Sequence, residues 1–279
     1  MGLVKILKNR LNLFMGIAGG NPLMAAVLNT TDIGPKLRFP EFRELPPNAL
    51  RVRVGVGGRL FNNQPQFLLK GRDLWLYLLA NGLVRFTDNI VEIGSGIGRR
   101  TYWMRDFEFH GIRYSGKYTG IDIDPEMVDW CNSHYDRERF EFHCASHASS
   151  AYLSKQETAR YRLPVDDASQ GLVFGTSVLT HLLEEQMINY FEEAFRVLVP
   201  GRALVMTCKC VDLTSDDRGN TYKHRSGNAY IENPGVPEAA VAYESKFVEQ
   251  TLRNAGFGSV DFHHNDSNIQ HTFVALKPS

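Results

Sequence analysis

Residues 91–100 read VEIGSGIGRR, three glycines (Gly94, Gly96 and Gly98) directly behind a short apolar run. Glycine adopts backbone conformations closed to other residues and lets a ligand approach the main chain. The stretch therefore reads as a strand, a ligand-binding turn and a helix start. A triphosphate-binding loop needs Lys and then Ser or Thr after its last glycine, and neither follows here. The dinucleotide fingerprint GxGxxG fails at its third glycine position, which is Arg99, a side chain too bulky for close packing of helix on strand. What remains is GxGxG preceded by the acidic Glu92.

The rest of the chain places this loop in an alternating α/β pattern. Strand signals occur in NIVEI, KYTGIDI, FEFHCA, GLVFGTS and ALVMTCKC, and two late ones in SVDFHH and HTFVALK. Helix signals separate them: residues 99–107, a helix opened by Asp124 as N-cap and Pro125, EEQMINYFEEAFRVL stopped by Pro200-Gly201, and ESKFVEQTLRNAGF. Another helix, RDLWLYLLANGL, is stopped by Gly82. This alternation predicts a doubly wound, mostly parallel sheet with helices on both faces, in which ligands bind beyond the carboxyl ends of the strands. Residues 20–68, rich in Gly, Pro and Asn, read as an irregular extension with a short strand in LRVRVGV. The expected division is an N-terminal extension over 1–68 and one domain over 69–279, interrupted by a polar insertion at 211–240.

Asp122 closes the second strand, 28 residues after Gly94. A carboxylate there can accept hydrogen bonds from both hydroxyls of a ribose. Asp124 already fills the helix-capping role, which leaves Asp122 available to a ligand. YRLPVDDASQGLVFGTSVLTHL and YFEEAFRVLVPGRALVMT complete a series of four motifs in order between 91 and 207. Together they resemble the class I S-adenosylmethionine-dependent methyltransferases, whose first motif is E/DxGxGxG. The resemblance implies a Rossmann-like, seven-stranded sheet and S-adenosylmethionine as cofactor, with S-adenosylhomocysteine as product. It implies a cofactor site of Glu92, Gly94, Ser95, Gly96, Gly98, Asp122, Ile123, Ser146 and Thr176. A narrower resemblance, over about 50–275, is to bacterial small-molecule and glycan-type methyltransferases with an SVFTHM-like segment; SVLTHL and VPEAAVAYESKFV follow that pattern. One position departs from it. Ser146 stands where such proteins usually place the Asp that binds the adenine amino group, which implies weaker or differently arranged adenine binding.

Composition narrows the acceptor. Lys plus Arg and Asp plus Glu both number 31, so no net field attracts a polyanion, and nucleic acid is not the expected partner. The expected acceptor is a small molecule, methylated on a sugar or natural-product hydroxyl. The alternatives are N-methylation of a small molecule, a non-catalytic methyltransferase-like scaffold, and a nicotinamide-dependent oxidoreductase, which Arg99 argues against. His181, just past the fourth strand, is the candidate general base, since histidine's ordinary pKa of about 6.5 suits the task. Asp212, Tyr222 and His224 in the insertion are candidate acceptor contacts, as long loops over such sites often are. No metal is expected: His143 and His147 flank Cys144 without a supporting carboxylate set.

Four cysteines without paired metal spacing read as reduced thiols of a cytoplasmic protein. In MGLVKILKNRLNLFMG the apolar Leu3, Leu7, Leu11 and Phe14 share one helical face. The expected use of that face is packing on the chain's own domain or a homo-oligomer contact, with a peripheral membrane contact as the alternative.

Overall fold

The computed structural model of the chain describes residues 21–55, 60–145, 160–213, 220–263 and 270–279. The chain forms two compact units. The first comprises the described residues of Met1–Tyr77 together with Gly96–Phe107; the second comprises Leu78–Ser95 and the described residues of Glu108–Ser279.

The second unit is built on a seven-stranded sheet. Its strands are β1 (Ile90–Ile93), β4 (Tyr118–Asp122), β5 (Phe140–Cys144), β6 (Gln170–Gly175), β7 (Leu198–Cys208), β11 (Ser259–His263) and β12 (His271–Leu276). Their spatial order is β5-β4-β1-β6-β7-β12-β11. All neighbours from β5 to β7 pair parallel, whereas β12 runs antiparallel to both β7 and β11. Strands covered on both faces are mostly apolar, and all residues of β1 and β6 are buried, Glu92 and Gln170 among them. Helices α6 (Pro125–His134), α7 (Glu184–Val197) and α8 (Ser245–Asn254) complete the alternation. The Asp124 side chain accepts from the N–H groups of Glu126 and Met127, so the expected N-cap is present. Pro200-Gly201 lies inside β7 rather than after α7: the helix ends at Val197 and the strand begins at once, with an irregular register between Gln170 and Leu172.

Chain order reverses at β1. From β1 the chain moves to β4 and β5 on one side, then returns to β6 on the other. The crevice beyond the carboxyl ends of β1 and β6 is the switch point where such sheets bind ligands.

The polar insertion forms a second, antiparallel sheet of three short strands, β8 (His224–Ser226), β9 (Ala229–Ile231) and β10 (Val241–Ala242). Ala229, Ile231 and Val241 are buried in the same core cluster as Met187, Leu204 and Met206. The Glu184 carboxylate accepts from the Asn228 N–H and amide, tying the β8–β9 turn to the start of α7. A hairpin of β2 (Glu108–Phe109) and β3 (Ile112–Arg113) was not expected either.

The first unit is helical where an irregular extension was expected, in α1 (Pro22–Thr30), α2 (Ile33–Arg38) and α3 (Asn48–Arg51); the helices expected next are present as α4 (Gln64–Ala80), which starts earlier than expected, and α5 (Arg99–Asp106). The strand expected in LRVRVGV is instead the end of α3 running into a short 3-10 turn over Val52–Val54. The reason is Arg51, fully buried, whose guanidinium clamps both Asp32 carboxylate oxygens at 2.6 and 2.8 Å and donates from Nε to Asn63. Asn63 donates in turn to Asn48, which donates to the Leu28 and Leu60 carbonyls. Tertiary hydrogen bonds here override the strand-like alternation of Val and Arg. Helix α4 meets α5 at Gly71, where a Cβ would lie 2.5 Å from the Arg99 carbonyl oxygen, and Trp75 donates to the Arg100 carbonyl. The segment containing Leu3, Leu7, Leu11 and Phe14 lies outside the described residues.

Candidate active site

The glycine loop leaves β1 with φ of 73° at Gly94, a left-handed conformation that favours glycine. A Cβ at Gly94 would stand 2.3 Å from Val178 Cγ2, so the turn after β6 packs directly on the loop. The Gly94 and Ser95 N–H groups both donate to the Ile121 carbonyl, tying the loop to β4. Those two donors therefore build the loop rather than present themselves to a ligand. Gly96 and Gly98, at φ 53° and 68°, belong to the first unit, as do Arg99, which donates to the Val54 carbonyl, and Arg100.

Glu92 is fully buried in β1 and accepts from the Tyr118 hydroxyl. Its register neighbours are Gly120 and Phe174, which fixes it inside the sheet beneath the loop. Asp122 sits half-buried at the carboxyl end of β4, with Oδ1 accepting from the Asp124 N–H at 3.0 Å. Its negative charge reaches several neighbours. Burial first, and then Asp122 with other carboxylates, pushes up the thiol pKa of Cys131 and of Cys144. Burial, then Tyr161 and Asp122, likewise raises the phenol pKa of Tyr190. Tyr161 is pushed up to about 12, by burial first and then Cys144. Sequence reasoning missed Tyr161 and Tyr190: Tyr190 lies on α7 among core positions, and nothing in its spacing marks it as a neighbour of Asp122.

Ile123 packs against the core beside Asp122, and Thr176 is half-buried just past β6. Ser177, at φ 59°, is held in its left-handed turn by the Thr207 hydroxyl, which accepts its N–H at 2.8 Å, and by Gln270. Ser95 Oγ is buried with no hydrogen-bond partner among the described residues. A buried polar atom left in that state fits a loop completed by a bound polar group or water. The half-buried Asp122 carboxylate can accept from the free hydroxyls of a nucleoside. Ser146 and His147 lie outside the described residues, as does the stretch from 214 to 219.

His181 ends a 3-10 turn, Leu179–His181, directly after the β6 loop. Its Nδ1 lies 2.8 Å from the Glu238 carbonyl oxygen. A carbonyl only accepts, so Nδ1 carries the proton and, in the neutral ring, Nε2 is the basic nitrogen. Burial lowers the His181 pKa below the ordinary value, and the Glu238 hydrogen bond opposes that shift. Tyr243 also donates to the Leu182 carbonyl at 2.8 Å. SVLTHL and VPEAAVAY, far apart in sequence, thus meet at this histidine.

The three insertion candidates have separate surroundings. Both Asp212 carboxylate oxygens accept from Ser245, at its N–H and its hydroxyl, anchoring the start of α8. Burial opposes ionisation of Asp212, yet the hydrogen bonds from Ser245 keep its pKa low. His224 is exposed on β8. Tyr222 is nearly buried with φ 46°, and the ammonium of Lys209 lies 5.4 Å from its ring centroid. Lys209, 3 % exposed at the carboxyl end of β7, was also missed; in CKC it read as one more strand residue. Among the described residues, no three His, Cys, Asp or Glu side chains come together as a metal site, and no helix is long and apolar enough to cross a membrane.

A methyltransferase-domain family matches residues 91–206. Several solved structures share the fold. A SAM-dependent methyltransferase from Methanosarcina mazei is 18% identical at a TM-score of 0.50, over 72% of this chain and 97% of that one. The CMeT domain of the citrinin polyketide synthase is 15% identical at 0.52, over 84% and 57%. A phospholethanolamine N-methyltransferase 2 from Haemonchus contortus, complexed with phosphomonomethylethanolamine and S-adenosylhomocysteine, is 15% identical at 0.51, over 75% and 54%.

Proposed function

We propose that this chain is a class I S-adenosylmethionine-dependent methyltransferase that methylates a hydroxyl of a small-molecule acceptor, a sugar or natural product, with His181 as general base. The observation that carries the reading is the hydrogen bond between His181 Nδ1 and the Glu238 carbonyl, which makes Nε2 the basic nitrogen. Asp122 would accept from the ribose hydroxyls, with Ile123 beside the nucleoside and Glu92 holding the loop from beneath. The glycines from Gly94 to Gly98 and Thr176 complete the proposed cofactor contacts. S-adenosylmethionine supplies an electrophilic methyl on a sulfonium, whose departure leaves a neutral thioether. His181 Nε2 would take the acceptor's hydroxyl proton, leaving the oxygen free to accept the methyl that the cofactor would supply.

Most of the remaining barrier falls to orientation, which can supply several kcal/mol when the nucleophile is held in line. Tyr222 and Lys209 are the acceptor-side residues we favour, since a buried cation beside an aromatic ring offers recognition of an oxygen-rich ligand. The test is a screen of hydroxylated acceptors read by product mass, with the parent and His181→Ala. The expected result is a product 14 mass units heavier, a group-transfer value set by chemistry (roughly CH2), with turnover cut about 10²–10⁴-fold in the variant. Unchanged turnover in His181→Ala would remove the histidine from the mechanism. Methylation confined to amines would replace the hydroxyl reading.

A further inference from the structure

Helices α1 and α2 leave a run of apolar side chains in water. Leu23 and Val27, one helical turn apart on α1, are 77% and 52% exposed, and Ile33 and Leu37, equally spaced on α2, are 58% and 74% exposed. Phe39 follows at 44%. Single exposed apolar residues are ordinary. Five within seventeen positions, paired at the helical repeat, are not scattered singly, and such a surface marks an interaction site. The first unit is basic. Its described residues carry ten Lys and Arg against five Asp and Glu, and the exposed Arg38 and Arg43 stand among Glu41 and Glu44, of which Glu44 is paired with Arg105. The balanced net charge of the whole chain conceals this excess. Arg51 is spent internally on Asp32, but Arg38 and Arg43 are exposed, and the Arg38 guanidinium lies 5.7 Å from the Phe39 ring centroid.

We propose that the first unit docks on the surface of an anionic lipid bilayer through the apolar side chains of α1 and α2, with Arg38 and Arg43 at the headgroups. Interfacial binding requires both buried apolar area and cationic side chains, and this surface has both. A nucleic acid would satisfy the arginines but leave Leu23 and Leu37 in water. A second copy of this chain, meeting it through the same face, would bring two basic units together.

Co-sedimentation of the full chain with vesicles tests this. Binding should be at least about tenfold stronger to phosphatidylglycerol–phosphatidylcholine vesicles than to phosphatidylcholine alone, and should weaken as salt screens the charges. Leu23→Ser with Leu37→Ser should cut partitioning about tenfold or more while leaving thermal unfolding unchanged, because both side chains are already exposed. Equal partitioning of the double variant, or no binding to anionic vesicles, would overturn the proposal. So would a dimer in sedimentation velocity that the double variant dissolves, which would make a second copy the occupant.

Discussion

Asp122 ends β4 with Oδ1 accepting from the Asp124 N–H and its carboxylate half-exposed at the switch point of the sheet. A hydrogen bond to a charged group contributes roughly 1.5–3 kcal/mol, so Asp122→Ala should weaken S-adenosylhomocysteine at least about tenfold in a calorimetric titration. An undiminished affinity would move the ribose site elsewhere. His181 carries a different test. Burial lowers its pKa, so Nε2 stays unprotonated through neutrality and the ring gains a proton only below the ordinary histidine range, about 6.5. The rate should therefore be flat near pH 7 and fall on the acid side below that value. Replacing His181 should abolish that limb, and an acid limb that survives in His181→Ala would belong to another group. At Gly94 both the positive φ and the 2.3 Å approach of Val178 oppose a side chain. Gly94→Ala should cost about 1–3 kcal/mol in denaturant unfolding, and Val178→Ala added to it should recover the steric part while the backbone part remains.

At the scale of elements, what the sequence disclosed follows from the range of the forces involved. β1 and β6 are largely apolar because both faces of the parallel sheet are covered there, and the Asp124-Pro125 cap is a purely local signal. Both were legible. The small sheet of the insertion was not, because strands of two or three residues are too short to show a period. The N-terminal helices stayed hidden for another reason. They are short, and α3 depends on an Arg51–Asp32 contact 19 residues apart in sequence. The alternation in LRVRVGV is the pattern of a strand, yet its arginine is the buried centre of a helical unit. Removing one partner of such a pair leaves a buried charge, so Arg51→Ala should lower stability by about 3–5 kcal/mol. A loss under 1 kcal/mol would mean that the network is dispensable. The site was legible in the same uneven way. Gly94 and Asp122 follow from spacing, whereas the tautomer of His181 depends on Glu238, 57 residues away.

The whole molecule combines a sheet with the order 3-2-1-4-5-7-6, counted along its seven strands, with a helical unit that is basic within a chain of no net charge. The switch point of the sheet lies between β1 and β6, where Gly94 opens the glycine loop and packs on Val178. The same architecture also serves nicotinamide enzymes, so fold alone does not select the ligand. The glycine spacing and Arg99 argue against a dinucleotide, and Asp122 with the later motifs favours S-adenosylmethionine. The most direct test is a parallel titration of the chain with S-adenosylhomocysteine and NAD, followed by thermal unfolding. Ligand at 100 times its dissociation constant stabilises a folded protein by about 2.7 kcal/mol. Saturating S-adenosylhomocysteine should therefore raise the unfolding temperature by several degrees in the parent and much less in Asp122→Ala, with no response to NAD. Stabilisation by NAD alone, with S-adenosylmethionine and S-adenosylhomocysteine both silent, would contradict the account.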